Sequence, residues 1–177
     1  MSVRSIGVPA PAPPEGMTLL ATATPASVTS FSFTGIPSTY KHLLIVYAGF
    51  TNQTNQGGIR FNADSTAKYD NTFQFERQTF NSVVNNFGET GIQPGSSVAP
   101  FAQGFNGNGA GEIMIYRYTD TTPKLIRWQN VIWSGSAGAS SGLIFGLSTY
   151  RGTSAISSIQ FVGGVSVSGT VYLYGVS

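Results

Sequence analysis

A chain of 177 residues with 9% charged side chains and a formal net charge of +2 is long enough for one domain with its own core, and lies far below the roughly 25% charge of an ordinary soluble domain. Its basic residues, among them Arg60, Lys68, Arg77, Arg117, Lys124, Arg127 and Arg151, are scattered and form no nucleic-acid footprint. Cys is absent, which excludes disulfides and thiolate metal sites, and no apolar run reaches the roughly 18 residues of a membrane span.

Residues 1–16 read as an extended arm. Pro9, Pro11, Pro13 and Pro14 impose a polyproline-like path without ladder donors. They also interrupt any apolar core of signal-peptide length, so the chain reads as cytoplasmic at synthesis. Such an arm has little conformational entropy to lose on docking.

Residues 17–177 read as a single β domain. Met17 to Thr24 is a strand ended by Pro25. Val28 to Thr34 alternates, with Phe31 and Phe33 on one side, as a half-buried antiparallel strand does. A turn at Gly35-Ile36-Pro37 leads to Leu43–Phe50. That strand is apolar on both faces, with Leu43, Ile45 and Tyr47 against Leu44, Val46 and Phe50, the pattern of a strand buried on both sides. A polar loop, a strand from Gly58 to Asn62 and an Asn62–Ser65 turn follow. Asn71 to Phe80 is the next strand. From Asn81 to Gly111 the chain is rich in Gly, Asn and Ser, with short strands expected near Val83–Phe87 and Val98–Gln103. Glu112–Tyr118 and Lys124–Trp133 form a hairpin across a TDTTP turn. After a Gly/Ser/Ala-rich loop at Ser134–Ser141, Leu143–Tyr150, Ile156–Val162 and Val171–Val176 close the chain. Gly163-Gly164 and Ser168-Gly169 separate the last two. No stretch carries a helical period. The expectation is an all-β, antiparallel β-sandwich, jelly-roll-like, with the Pro-rich arm at its N-terminus.

Catalytic chemistry finds little support. The sole His, His42, stands at a strand entry and reads as structural or interfacial. There is neither a GxSxG elbow nor an HExxH pair. Of the carboxylates, Glu15 lies in the arm and Asp64, Asp70 and Asp120 at turns, and no spacing suggests a flanking pair for sugar hydrolysis. Asn62, Asp64 and Asp70 could offer oxygen ligands to a Ca²⁺ ion, although turn chemistry explains them equally. The reading is a non-enzyme with no cofactor and no metal. Tyr116 and Tyr118 share a face and could line a contact. Trp128 and Trp133 are an odd number of residues apart, so one belongs to the core and the other is exposed or interfacial.

Several segments also carry a family likeness. The turn Gly35-Ile36-Pro37 with Tyr40 and Leu43, the run Arg60–Asp64 with Tyr69, IMIYRY at Ile113–Tyr118, AISSIQF at Ala155–Phe161 and YLYGV at Tyr172–Val176 resemble, in this order, virion structural proteins of tailed bacteriophages. Where that family has Gly after Phe-Asn, this chain has Ala63, which leaves the turn type open. The resemblance implies a β-sandwich subunit on a phage particle without saying which part; with the arm, the first expectation is a capsid decoration, or cement, protein on the virion surface. Its partners would be the major capsid protein and itself, as a homotrimer, and it would bind no nucleic acid or membrane. The arm, through Val3, Arg4, Ile6, Val8, Pro9, Pro11, Pro13 and Pro14, would lie on a neighbouring subunit or on the capsid. The alternative is a receptor-binding module of a tail fibre or spike. That module would recognise host glycan or protein through the loops at Asn81–Gly111 and Ser134–Ser141.

Overall fold

The computed structural model describes residues 16–52, 58–79, 82–86, 99–100, 108–133 and 141–177. It contains eleven strands and, among the described residues, no helix. They are β1 (Met17–Ala23), β2 (Val28–Thr34), β3 (His42–Asn52), β4 (Gly58–Phe61), β5 (Tyr69–Thr79), β6 (Ser82–Asn86), β7 (Ala99–Pro100), β8 (Asn108–Tyr116), β9 (Lys124–Trp133), β10 (Ser141–Tyr150) and β11 (Ser158–Val176). All pair antiparallel in one sheet of order β6-β5-β10-β9-β8-β3-β11-β4-β7, with β1 and β2 added along β11. The all-β, antiparallel expectation holds.

The strand that ties the sheet together is β11. Its first part, Ser158–Val162, lies between β2 and β4. Its last part lies between β1 and β3. The two strands expected over Ile156–Val162 and Val171–Val176 are therefore one, of 19 residues. Glycine inside a strand marks a bend or bulge as readily as an end. Here the register against β3 slips between Ser168 and Thr170, around Gly169 at φ 130°. The strand Leu43–Phe50 falls within β3, in the interior of the sheet between β8 and β11. Leu43, Ile45 and Tyr47 face inward and are buried; on the alternate side Leu44 is buried as well and Val46 half-buried.

Because β11 serves both ends, the sheet curls into a half-barrel. Ile45, Ile113, Ile126 and Trp128 from the long part share one core with Ile59, Phe61, Ile159 and Phe161 from the β4 end. β7 comes up against β5 and β10. The turn after β4 is tight. Asn62 and Ala63 have φ of 54° and 55°, and the Asp64 N–H donates to the Phe61 carbonyl at 2.9 Å. Two positive φ values with that bond mark a type I′ turn, which favours Asn first and Gly second. Ala63 thus holds a conformation that glycine adopts freely.

Candidate functional site: the outer face of the sheet

The groups with chemical potential are bound to their own chain. His42 Nδ1 accepts the Arg117 backbone N–H at 3.0 Å, so its lone pair is on Nδ1, and the ring stands edge-on to Tyr116 at 5.5 Å. The Asp64 carboxylate accepts from the Thr66 hydroxyl (2.5 Å), the Thr66 N–H (2.9 Å), Lys68 Nζ (2.9 Å) and the Tyr150 hydroxyl (2.9 Å). These bonds, the Thr66 hydroxyl first, hold it well below the usual carboxylate range. The same carboxylate, together with burial, raises Tyr150, burial being the larger cause. Tyr69 accepts the Phe61 N–H at 2.9 Å and donates to the Asp64 carbonyl at 3.2 Å; burial pushes it up to about 12.

Asn62 Oδ1 accepts from the Ser157 and Ser158 N–H groups at 2.9 and 3.2 Å, and its Nδ2 donates to the Ala155 carbonyl at 2.8 Å. Asp70 pairs with Arg151 at 3.2 Å. The three residues considered for Ca²⁺ therefore clamp the β4–β5 turn to the segment after β10. Among the described residues no group of three or more His, Cys, Asp or Glu is arranged to hold a metal ion. Lys124, which the sequence does not single out, is fully buried. Its ammonium donates to the carbonyls of Asp120 and Thr122 at 2.5 and 2.6 Å, and burial lowers its pKa. It locks the β8–β9 turn from inside.

The expected interface aromatics divide. Tyr116 lies on the outer face, half-buried. Tyr118 does not share that face. Arg117 has φ 50°, which breaks the alternation, and Tyr118 turns fully inward to donate to the Pro37 carbonyl. Trp128 also belongs to the core, 1% exposed, with Nε1 donating to Ser148 Oγ at 3.1 Å. Neither Tyr118 nor Trp128 is available to a partner. The Trp133 side chain lies outside the described residues, as do the arm residues Val3, Arg4, Ile6, Val8, Pro9, Pro11, Pro13 and Pro14 and most of both loops expected to meet host glycan.

What the structure brings together instead is an apolar outer face. The large apolar side chains most exposed among the described residues are Met17, Leu19, Leu125, Val131, Leu143, Phe145 and Leu147. Cross-strand register puts all of them on one side of the sheet. One row runs Leu147, Arg127, Met114, Leu44, Tyr174, Leu19 from β10 to β1; the next runs Leu125, Tyr116, His42, Val176, Met17. Leu143 stands opposite Val131, and Phe145 opposite Gln129. The face is densest on β9 and β10, where Leu125 is 60% and Leu147 63% exposed.

The cause lies beneath. On β10 the inward positions Gly146 and Ser148 are buried, and the Trp128 indole fills the space against them. A Cβ on Gly146 would stand 2.4 Å from Trp128 Cζ2. Around Trp128, β10 thus carries Gly146 and Ser148 inside and Phe145 and Leu147 outside, against the usual polarity of a sheet with one wet face. Among the described side chains of this face, Arg127 meets Glu112 at 3.3 Å, and Gln129 Nε2 donates to Glu112 at 3.0 Å. Covering one such Leu or Phe completely stabilises by roughly 1.5–3 kcal/mol. Contiguous apolar patches on a protein surface mark contact sites. Comparison with protein-family models, curated proteins and solved structures finds no match to this chain.

Proposed function

We propose that this chain is a non-enzymatic structural subunit of a tailed-bacteriophage particle, a capsid decoration (cement) protein that bridges neighbouring shell subunits. The observation that carries this reading is the outer face of β9 and β10, where five large apolar side chains, Leu125, Val131, Leu143, Phe145 and Leu147, point away from the core. A catalytic protein needs a concave site. A bridging protein needs a broad face that gains stability when a neighbour covers it, and low charge density suits a surface hidden in an assembly. The phage assignment itself comes from the ordered segments Gly35–Leu43, Arg60–Tyr69, Ile113–Tyr118, Ala155–Phe161 and Tyr172–Val176. On this reading the half-barrel is the jelly-roll-like sandwich of such subunits. The partners are the major capsid protein and further copies of this chain, as a homotrimer, at the virion surface.

The test is immunogold labelling of intact particles with antibody to this chain, alongside capsid-binding assays with purified protein. Dense label over the head is expected, together with loss of capsid binding in a Leu125→Asp/Leu147→Asp variant. Label confined to the tail tip, or full capsid binding by the variant, would overturn the reading.

A further inference from the structure

We propose that His42 is a pH-sensitive latch: protonation of its ring releases the turn at Arg117 and places a charge on the outer face. The latch stands on the geometry around the imidazole and needs no partner. Three observations carry it.

The first is where the imidazole sits in the ladder. His42 and Tyr116 form the end pair of β3 and β8. The next amide, that of Arg117, donates not to a backbone carbonyl but to His42 Nδ1, at 3.0 Å. The side chain thus closes the ladder, and only its neutral form can do so. A protonated Nδ1 is itself a donor and would set one N–H against another.

The second is what the bond holds. Arg117 has φ 50°, a conformation that a residue other than glycine keeps only where its surroundings hold it. The Asp120 N–H donates to the Arg117 carbonyl at 3.0 Å, and the Arg117 guanidinium meets Asp120 at 2.7 Å. Those contacts tie Arg117 to its own turn, whereas the bond to His42 ties its amide to β3. Immediately after that amide the chain turns Tyr118 inward to the Pro37 carbonyl.

The third is what surrounds the ring. Imidazole is the side chain whose charge ordinarily changes between pH 5 and 8, and His42 is the sole His of the chain. It is half-buried on the outer face, with Tyr116 edge-on at 5.5 Å. The charged groups about it are Lys41 beside it, Arg117 and Asp120 on the turn, and Arg127 one row away on β9, paired with Glu112; Lys124 is buried inside the turn. Opposite, β11 brings Val176, with Ser177 beyond it. Protonation therefore sets a charge in the middle of the row that runs from Leu125 to Met17, where a half-buried charge is costly unless paired. Acid both frees the turn and makes this row a poorer apolar contact.

The experiment follows amide exchange of the purified full chain by NMR at about pH 7.5 and about pH 5, either side of the imidazole range. Rates are corrected for intrinsic exchange, and the His42 ring shift reports its protonation. The ring should be neutral at the higher pH and protonated at the lower. Arg117 protection should fall roughly fivefold between them, the worth of one hydrogen bond, while the amides of Ile45 and Tyr47 keep theirs. His42→Asn offers an acceptor at the same reach from the backbone and no titrating proton, and should keep Arg117 protected at both. A ring still neutral at the lower pH, unchanged Arg117 protection beside a protonated ring, or an equal fall in His42→Asn would each overturn the latch. Because this measurement uses the isolated protein and the virion reading is tested on particles, either can fail without the other.

Discussion

On β9 and β10 the inner and outer faces are both apolar, yet they are made in opposite ways. Inside, β9 supplies volume with Ile126 and Trp128, while β10 supplies space around Trp128 with Gly146 and Ser148. The fit is close enough that one added carbon on Gly146 would meet the indole at 2.4 Å. Outside, β10 carries the bulk in Leu143, Phe145 and Leu147, and nothing in the described chain packs over it. The inner face is completed by the fold and the outer face is left exposed. Stability should therefore reside on one side of these two strands and association on the other.

The largest test of that division is Trp128→Ala. Removing the indole empties the space over Gly146 and strips Ser148 of its donor, and should cost about 3–5 kcal/mol in urea unfolding. A cost below about 1 kcal/mol would mean the inner face does not anchor the sheet. Next, Gly146→Ala drives a methyl into the Trp128 ring and, at 2.8 Å, toward the Thr72 carbonyl; overpacking of this kind costs about 1–3 kcal/mol.

Alkali probes the inner face through Tyr69. An unfolded Tyr titrates near 10, while burial pushes Tyr69 up to about 12 in the fold. The protonated phenol is the form the fold favours. Its contribution is complete below pH ~10 and declines as pH rises toward ~12. Melting temperature should fall through that window, and less steeply in Tyr69→Phe; equal slopes in both proteins would assign the loss elsewhere. The smallest expected effect is that of Leu147→Thr, which keeps strand propensity and should change stability by no more than about 0.5 kcal/mol, while weakening capsid attachment severalfold. If it cost as much as Gly146→Ala, the two faces would not differ in kind.

The division was only partly legible in the sequence. β9 was readable to the residue, Lys124–Trp133, because Pro123 and alternation bound it. β2, Val28–Thr34, was equally plain. β3 showed its buried face in Leu43, Ile45 and Tyr47. The continuity of β11 was hidden because glycine pairs look like strand ends whether the chain turns or merely bends. The inward turn of Tyr118 depends on a positive φ at Arg117, which no residue preference announces. The polarity of β10 could not be read from β10 itself: alternation divides Leu143, Phe145 and Leu147 from Gly142, Ile144, Gly146 and Ser148 but does not say which set faces the core. That choice is made by Trp128 on the adjacent strand. Lys124 was missed for a similar reason, since the carbonyls that satisfy it belong to its own turn.

β11 has a further consequence, for the order in which the molecule can form. Among the described residues β1 and β2 pair with no strand except β11, and well over a hundred residues separate the partners in sequence. During synthesis those two strands must wait, unpaired, while every intervening strand is made. Local hairpins such as β8–β9 can close early, but the half-barrel closes in one late step when β11 is threaded between two sets of waiting edges. Long-range pairing of this kind folds slowly, and unpaired edges in the interim invite wrong partners. A nascent chain with Phe31 and Phe33 on such an edge is exposed to aggregation until its final strand arrives.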